Sequence, residues 1–142
     1  MNILVLAAHP DDEVLGMGGT IKKFTKNGNN VKVVIFATGI SSRRSSNYKN
    51  SENYDVNEKI ISQMNKQIKK LKLDAISACK LLGVTDLEFL DFPDNEMDLI
   101  SNLEITKRIE KIIKQFKPEQ IFTHSCYDVN IDHRMLYFAT LA

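Results

Sequence analysis

Residues 1–36 read MNILVLAAHPDDEVLGMGGTIKKFTKNGNNVKVVIF, and two apolar runs inside this stretch decide the fold. Ile3 to Ala7 is a short continuous apolar run, Val31 to Phe36 is another broken only by Lys32, and both read as strands. Between them Val14, Leu15, Ile21 and Phe24 recur at helical spacing. Gly28, flanked by Asn27, Asn29 and Asn30, supplies the helix stop and the turn into the second strand, because Gly and Asn tolerate a left-handed backbone. A crossover of this length makes the two strands parallel, with a right-handed connection.

The unit repeats along the chain. Thr38 to Asn57 is rich in Ser, Asn and Arg without apolar periodicity, and reads as a long loop at the carboxyl end of the second strand. A helix is expected from about Asn57 or Lys59 to Leu82, interrupted at most once and closed by Gly83 ahead of a strand at Leu87 to Leu90. Pro93, Asp94 and Asn95 mark a turn. Ile105, Ile109, Ile112 and Ile113 set the period of a helix over Leu103 to Phe116, Pro118 precedes a strand at Gln120 to Thr123, and Ile131 to Leu141 begins a last helix. The alternation βαβαβαβα predicts an α/β, Rossmann-like three-layer sandwich: a mostly parallel sheet with helices on both faces, built as one domain over residues 1–142.

Composition narrows the function classes. Nineteen basic and eighteen acidic residues give a net charge of +1, which offers no global field for nucleic acid or an anionic membrane. The lysines between Lys59 and Lys80 interleave with Ile60, Ile61, Met64, Ile68, Leu71 and Leu73, the pattern of an amphipathic helix with a solvated basic face. Cys79 and Cys126 form no CxxC pair, which argues against a disulfide scaffold or a cysteine zinc knuckle and fits a reduced cytoplasm. The apolar run at the N-terminus is too short to span a bilayer, so no membrane span and a cytoplasmic location are expected.

Ligands of such sheets gather outside the carboxyl ends of the strands, and two polar clusters fall there. His9-Pro10-Asp11-Asp12-Glu13 follows the first strand, and His124 through His133 follows the fourth. A catalytic zinc site typically takes three N or O ligands and leaves a fourth position for water. His9 and Asp12 are spaced to reach one ion from one turn, and His133 can complete the set. Water on such an ion becomes more acidic, and a neighbouring carboxylate such as Asp11 can take its proton during attack on a carbonyl. Each residue alone has a plainer reading: Asp12 and Glu13 as helix-start acids, Asp11 as a solvent-facing side chain, His124 as a hydrogen-bonded ring. Gly16, Gly18 and Gly19 form G-x-G-G rather than a dinucleotide fingerprint, and the acidic turn would repel a pyrophosphate.

The segment Ala8-His9-Pro10-Asp11-Asp12-Glu13 with Gly16, Gly18 and Gly19 resembles the signature of the PIG-L/LmbE-like family of zinc-dependent N-acetylglucosaminyl deacetylases. Leu82-Gly83-Val84, Phe89 to Asn95 and Asp128 to Arg134 extend the resemblance over the whole chain. It implies a hydrolase that removes the acetyl group from an N-acetylated amino sugar or its conjugate. The implied metal ligands are His9, Asp12 and His133 for Zn2+, with Fe2+ or another divalent ion an alternative, and the implied general base is Asp11. Asp132 takes the place of an orienting aspartate, and Asn130 that of a histidine that stabilises the oxyanion; an amide can donate there but cannot act as a cationic acid. Thr38-Gly39-Ile40 also departs from the family pattern. Members of that family continue well past the Asp-His segment, whereas this chain stops at Ala142 inside the last expected helix. The expectation is a domain lacking the C-terminal part, with an exposed sheet edge prone to homo-oligomerisation. The rival reading is a metal- or sugar-binding fragment without catalysis.

Overall fold

In the computed structural model, which describes residues 1–38 and 58–142, the expected alternation is present. The strands are β1 (Asn2–Ala7), β2 (Asn30–Ala37), β3 (Asp86–Phe92) and β4 (Gln120–Phe122); the helices are α1 (Asp12–Lys26), α2 (Glu58–Leu82), α3 (Asn102–Phe116) and α4 (Ile131–Leu141). A short 3-10 turn, Met97–Leu99, lies between β3 and α3 and has no counterpart in the sequence reading. The segment read as a long loop, with its Thr38-Gly39-Ile40 departure, lies outside the described residues beyond Thr38.

The sheet order is β3-β2-β1-β4, and all pairs are parallel. β1 is therefore interior, consistent with a strand apolar on both faces. Ile3, Val5 and Ala7 join Val31, Val33 and Ile35 beneath Ile21 of α1 and Ala75 and Cys79 of α2. Leu4 and Leu6 point the other way, with Val34 and Phe36, against Ile105, Ile109 and Ile112 of α3 and Leu136 of α4. The period-two alternation of a strand thus feeds two cores, one per helix layer.

α2 runs unbroken from Glu58 to Leu82. Its inward stripe is Met64, Ile68, Leu71, Ala75, Cys79 and Leu82, while Ile61 and Leu73 stay exposed. The basic face is solvated, as its periodicity implies. Ser101 caps α3 by accepting from the Glu104 amide at 3.2 Å. Among the described residues no helix is long and apolar enough to cross a membrane.

The chain builds β1, β2 and β3 outward in one direction, then returns to place β4 on the opposite side of β1. The strand order reverses between β1 and β4, and a crevice opens at their carboxyl ends. The two loops that carry the polar clusters leave from those two ends.

Gly83 has φ +87, and a Cβ added there would lie 2.9 Å from Thr25 Oγ1 and 3.1 Å from Thr25 Cβ. That hydroxyl is already held 2.5 Å from the Leu82 carbonyl, so it has little room to yield. Gly28 has φ +76 and open space around it. Gly28→Ala is expected to cost about 1 kcal/mol for its left-handed backbone alone. Gly83→Ala should cost about 2 kcal/mol or more because steric displacement adds to the same strain. Urea unfolding of the two variants checks the order, and equal losses would contradict the close approach of α1 to this turn.

Candidate metal centre

β1 delivers the chain to the crevice through a short turn tied on both sides. The Ala8 carbonyl accepts from the Ala37 amide at 2.8 Å, and the Ala8 amide donates to His124 Nε2 at 2.9 Å. After Pro10 the turn closes on itself: the His9 amide donates to Asp12 Oδ2 at 2.8 Å. On the far side of the crevice, Arg134 donates from one Nη to the Asp128 and Val129 carbonyls at 2.7 and 2.9 Å. Asn130 caps α4 by accepting from the Asp132 amide at 2.9 Å. This fixes the first turn of α4, and with it His133.

Three donor atoms converge between the loops. His9 Nδ1 and Asp12 Oδ2 are 3.6 Å apart, His133 Nε2 and Asp12 Oδ2 3.1 Å, and His133 Nε2 and His9 Nδ1 3.3 Å. Ligands held tetrahedrally at zinc distances are separated by roughly 3.3 Å, which follows from bonds of ~2.0–2.1 Å. The triangle matches that spacing, with one side longer and one shorter.

The far nitrogen of each ring is spoken for. His9 Nε2 lies 2.9 Å from Asp132 Oδ2 and 3.2 Å from Asp94 Oδ1. His133 Nδ1 lies 2.9 Å from Asp128 Oδ2. A carboxylate only accepts, so these contacts favour the proton on His9 Nε2 and on His133 Nδ1 and turn the opposite lone pairs toward Asp12. Two imidazole lone pairs and a carboxylate oxygen facing one point repel one another unless a proton or a cation sits among them. Paired carboxylates behind the rings are the usual support of histidine metal ligands.

His9, Asp94 and Asp132 also cluster, as do His124, Asp128 and His133. In both groups the short contacts are the hydrogen bonds just described, from the rear of each ring. Asp132 is fully buried, and its two oxygens also accept from the Asn95 and Met97 amides at 2.6 and 3.1 Å. These clusters hold the ligand triangle rather than compete with it.

The electrostatics agree. Burial disfavours a charged His9, but hydrogen bonds to Asp12, Asp132 and Asp94 outweigh it and push the ring up to about 11. Burial likewise opposes ionisation of Asp12, yet His133 and His9 hold its carboxyl well below the usual range. His133 is raised in the same way, against burial, by Asp12 and Asp128. His124 goes the opposite direction: burial and the neighbouring His133 bring it down to about 4. It is a neutral ring, stacked on His133 with centroids 3.8 Å apart. The site therefore concentrates negative potential on two rings that can exchange protons for a cation.

Of the residues singled out in the sequence, His9, Asp12 and His133 meet in the triangle. Asp132 sits behind His9 as a positioning group. Asp11 is the N-cap residue of α1, exposed, with φ 131, and its side chain makes no capping hydrogen bond. Asn130 is occupied at both ends of its amide, since its Nδ2 donates to Asn95 Oδ1 at 3.2 Å while its Oδ1 caps α4. The residue expected as an oxyanion donor thus also caps a helix and bridges two loops. The supporting roles of Asp94 and Asp128 were missed: nothing in their spacing announces which ring each one backs.

Comparison with known proteins follows the same lines. The family model described as PIG-L: GlcNAc-PI de-N-acetylase matches residues 4–142. A probable N-acetyl-alpha-D-glucosaminyl L-malate deacetylase 2 of Bacillus cereus is 32% identical over 133 residues, which are 93% of this chain and 56% of that protein. The structure of N,N'-diacetylchitobiose deacetylase from Pyrococcus horikoshii, in complex with its inhibitor, superposes with a TM-score of 0.78 at 26% identity, covering 99% of this chain and 48% of that one. A 4-carboxy-2-hydroxymuconate hydratase from Pseudomonas putida shares the fold, with a TM-score of 0.73 at 21% identity over 99% of this chain and 55% of its own. The chain thus spans about half the length of these relatives.

Asp128→Asn keeps the shape of the side chain but can turn an amide donor toward His133 Nδ1. Metal affinity, read by competition with a chromophoric chelator, is expected to fall about 10- to 100-fold, the usual effect of losing a carboxylate behind a histidine ligand. Unchanged affinity would mean that His133 does not depend on this contact to present Nε2.

Proposed function

The chain belongs to the PIG-L family, and from that membership we propose that it forms the metal centre of a zinc-dependent deacetylase acting on an N-acetylated amino sugar or its conjugate. The observation that carries the reading is the triangle of His9 Nδ1, Asp12 Oδ2 and His133 Nε2, with sides of 3.1 to 3.6 Å. Two nitrogens and one carboxylate oxygen suit zinc, and ferrous iron accepts the same donors. When bound, the ion would polarise the acetamide carbonyl and make a water molecule more acidic.

The remaining work falls to the protein. Asp11 accepts the proton of the attacking water and passes it to the departing nitrogen, so that the amide and water become acetate and a free amine. A non-glycine residue at φ 131 is strained, and such strain is a feature of functional turns. Asp132, Asp94 and Asp128 keep both ligand rings oriented. Asn130 holds the start of α4 and the turn at Asn95 together, so its contribution is positional. The carbohydrate class of the substrate rests on the names of the Bacillus and Pyrococcus relatives. The hydratase neighbour, at 21% identity, speaks only to the fold.

Release of free amine from N-acetylglucosamine conjugates, followed before and after chelation, tests the reading. Turnover is expected to vanish with the chelator and return with added zinc. Asp11→Asn should lower it by about 10²- to 10⁴-fold, the usual weight of a general base, with metal content unchanged. Metal binding without any turnover would favour the non-catalytic alternative. In the same series Asp11→Gly is expected to raise the stability to urea by about 1 kcal/mol, since glycine relieves the backbone strain; a loss of stability would argue against strain at this turn.

A further inference from the structure

An aspartate at a helix N-cap ordinarily turns its carboxylate back onto the first free amides of the helix. Asp11 does not, and its backbone at φ 131, ψ −29 lies outside the extended region such caps use. A different contact fixes this helix start, two residues further in. Glu13 folds its side chain back over the start of α1, where Oε2 accepts from the Asp11 amide at 3.0 Å.

Glu13 is an unusual residue for that place. It is only 2% exposed, and its other oxygen, Oε1, is buried without a hydrogen-bond partner among the described residues. The adjoining cavity, about 200 Å³, is lined by Asp12, Gly16, Met17, Phe122, Thr123 and His124, and the Asp12 carboxylate there is a like charge that cannot neutralise Glu13. Burial holds its carboxyl above the usual range. Such a group is costly in a helix start whose packing an apolar side chain would serve better. What it supplies that leucine cannot is the acceptor for the Asp11 amide.

We propose that Glu13 is a positioning residue for catalysis: its buried carboxyl clamps the Asp11 amide and holds that residue in its strained backbone conformation. This rests on the reading of Asp11 as general base. Glu13 touches neither substrate nor ion and acts through Asp11.

Two measurements on the full chain test it. Amide hydrogen exchange by NMR reads the clamp directly. The Asp11 amide is expected to be protected in the wild type and in Glu13→Gln, whose side-chain oxygen still accepts, and at least tenfold less protected in Glu13→Leu. Turnover reads the consequence. Glu13→Leu should lose at least tenfold in kcat with KM and metal content within about twofold of wild type, while Glu13→Gln stays within about threefold. In an Asp11→Asn background Glu13→Leu should cost nothing further.

An Asp11 amide that exchanges freely in the wild type overturns the proposal, as does a Glu13→Leu variant with normal kcat. Additive losses in the double variant also overturn it, because they would mean that Glu13 acts independently of Asp11. If Asp11→Asn retains full turnover, the general-base reading fails instead, and the exchange data still decide whether the clamp exists.

Discussion

The site hangs on one buried carboxylate. Asp132, fully inaccessible to solvent, accepts from the His9 ring at 2.9 Å, from the Asn95 amide at 2.6 Å and from the Met97 amide at 3.1 Å. Three segments that are distant in sequence, the turn after β1, the turn after β3 and the first turn of α4, are thereby fastened to one group. A buried charge is tolerated only when its lone pairs are satisfied, and here both oxygens have partners. The same contacts fix the tautomer of His9 and turn its Nδ1 toward Asp12. His133 follows on the exposed side of the same helix turn, backed by Asp128.

Sheet topology makes this assembly possible. Because β4 returns to the opposite side of β1, the loops leaving these two strands face each other across a gap that no helix among the described residues fills. The two apolar cores carry the packing and leave the crevice to polar groups. The fold alone does not select the chemistry, since a hydratase shares it. What selects it is the pair of loops and the residues they present.

Much of this was legible in the sequence. The apolar runs at Ile3 and Val31, the second broken only by Lys32, are nearly continuous because their strands are covered on both faces, and that made the parallel sheet readable. His9, Asp12 and His133 could be singled out because zinc chemistry requires such donors and strand ends are where they gather. The resemblance carried by His9 to Glu13 and by Asp128 to Arg134 implied the same residues. The support was not legible: Asp94 and Asp128 stand behind their rings because of how the β3 turn and the β4 loop fold, which no local spacing encodes. Asn130 was singled out by its alignment with a histidine, and its further use, capping α4 with Oδ1 while Nδ2 reaches Asn95, depends on the turn after β3 and was not legible. The amphipathic character of α2 was legible, but which of its interleaved apolar residues turn inward was not, because several apolar positions compete and only tertiary packing leaves Ile61 and Leu73 exposed.

The proposed metal centre requires His9, Asp12 and His133 to meet one divalent cation, which anomalous diffraction at the zinc edge, from crystals grown with zinc, can locate. A peak is expected ~2.0–2.2 Å from His9 Nδ1, an Asp12 carboxylate oxygen and His133 Nε2, at ordinary zinc bond lengths. A peak bound instead among Asp94, Asp132 and the rear of the His9 ring, or no peak within reach of the triangle, would contradict it.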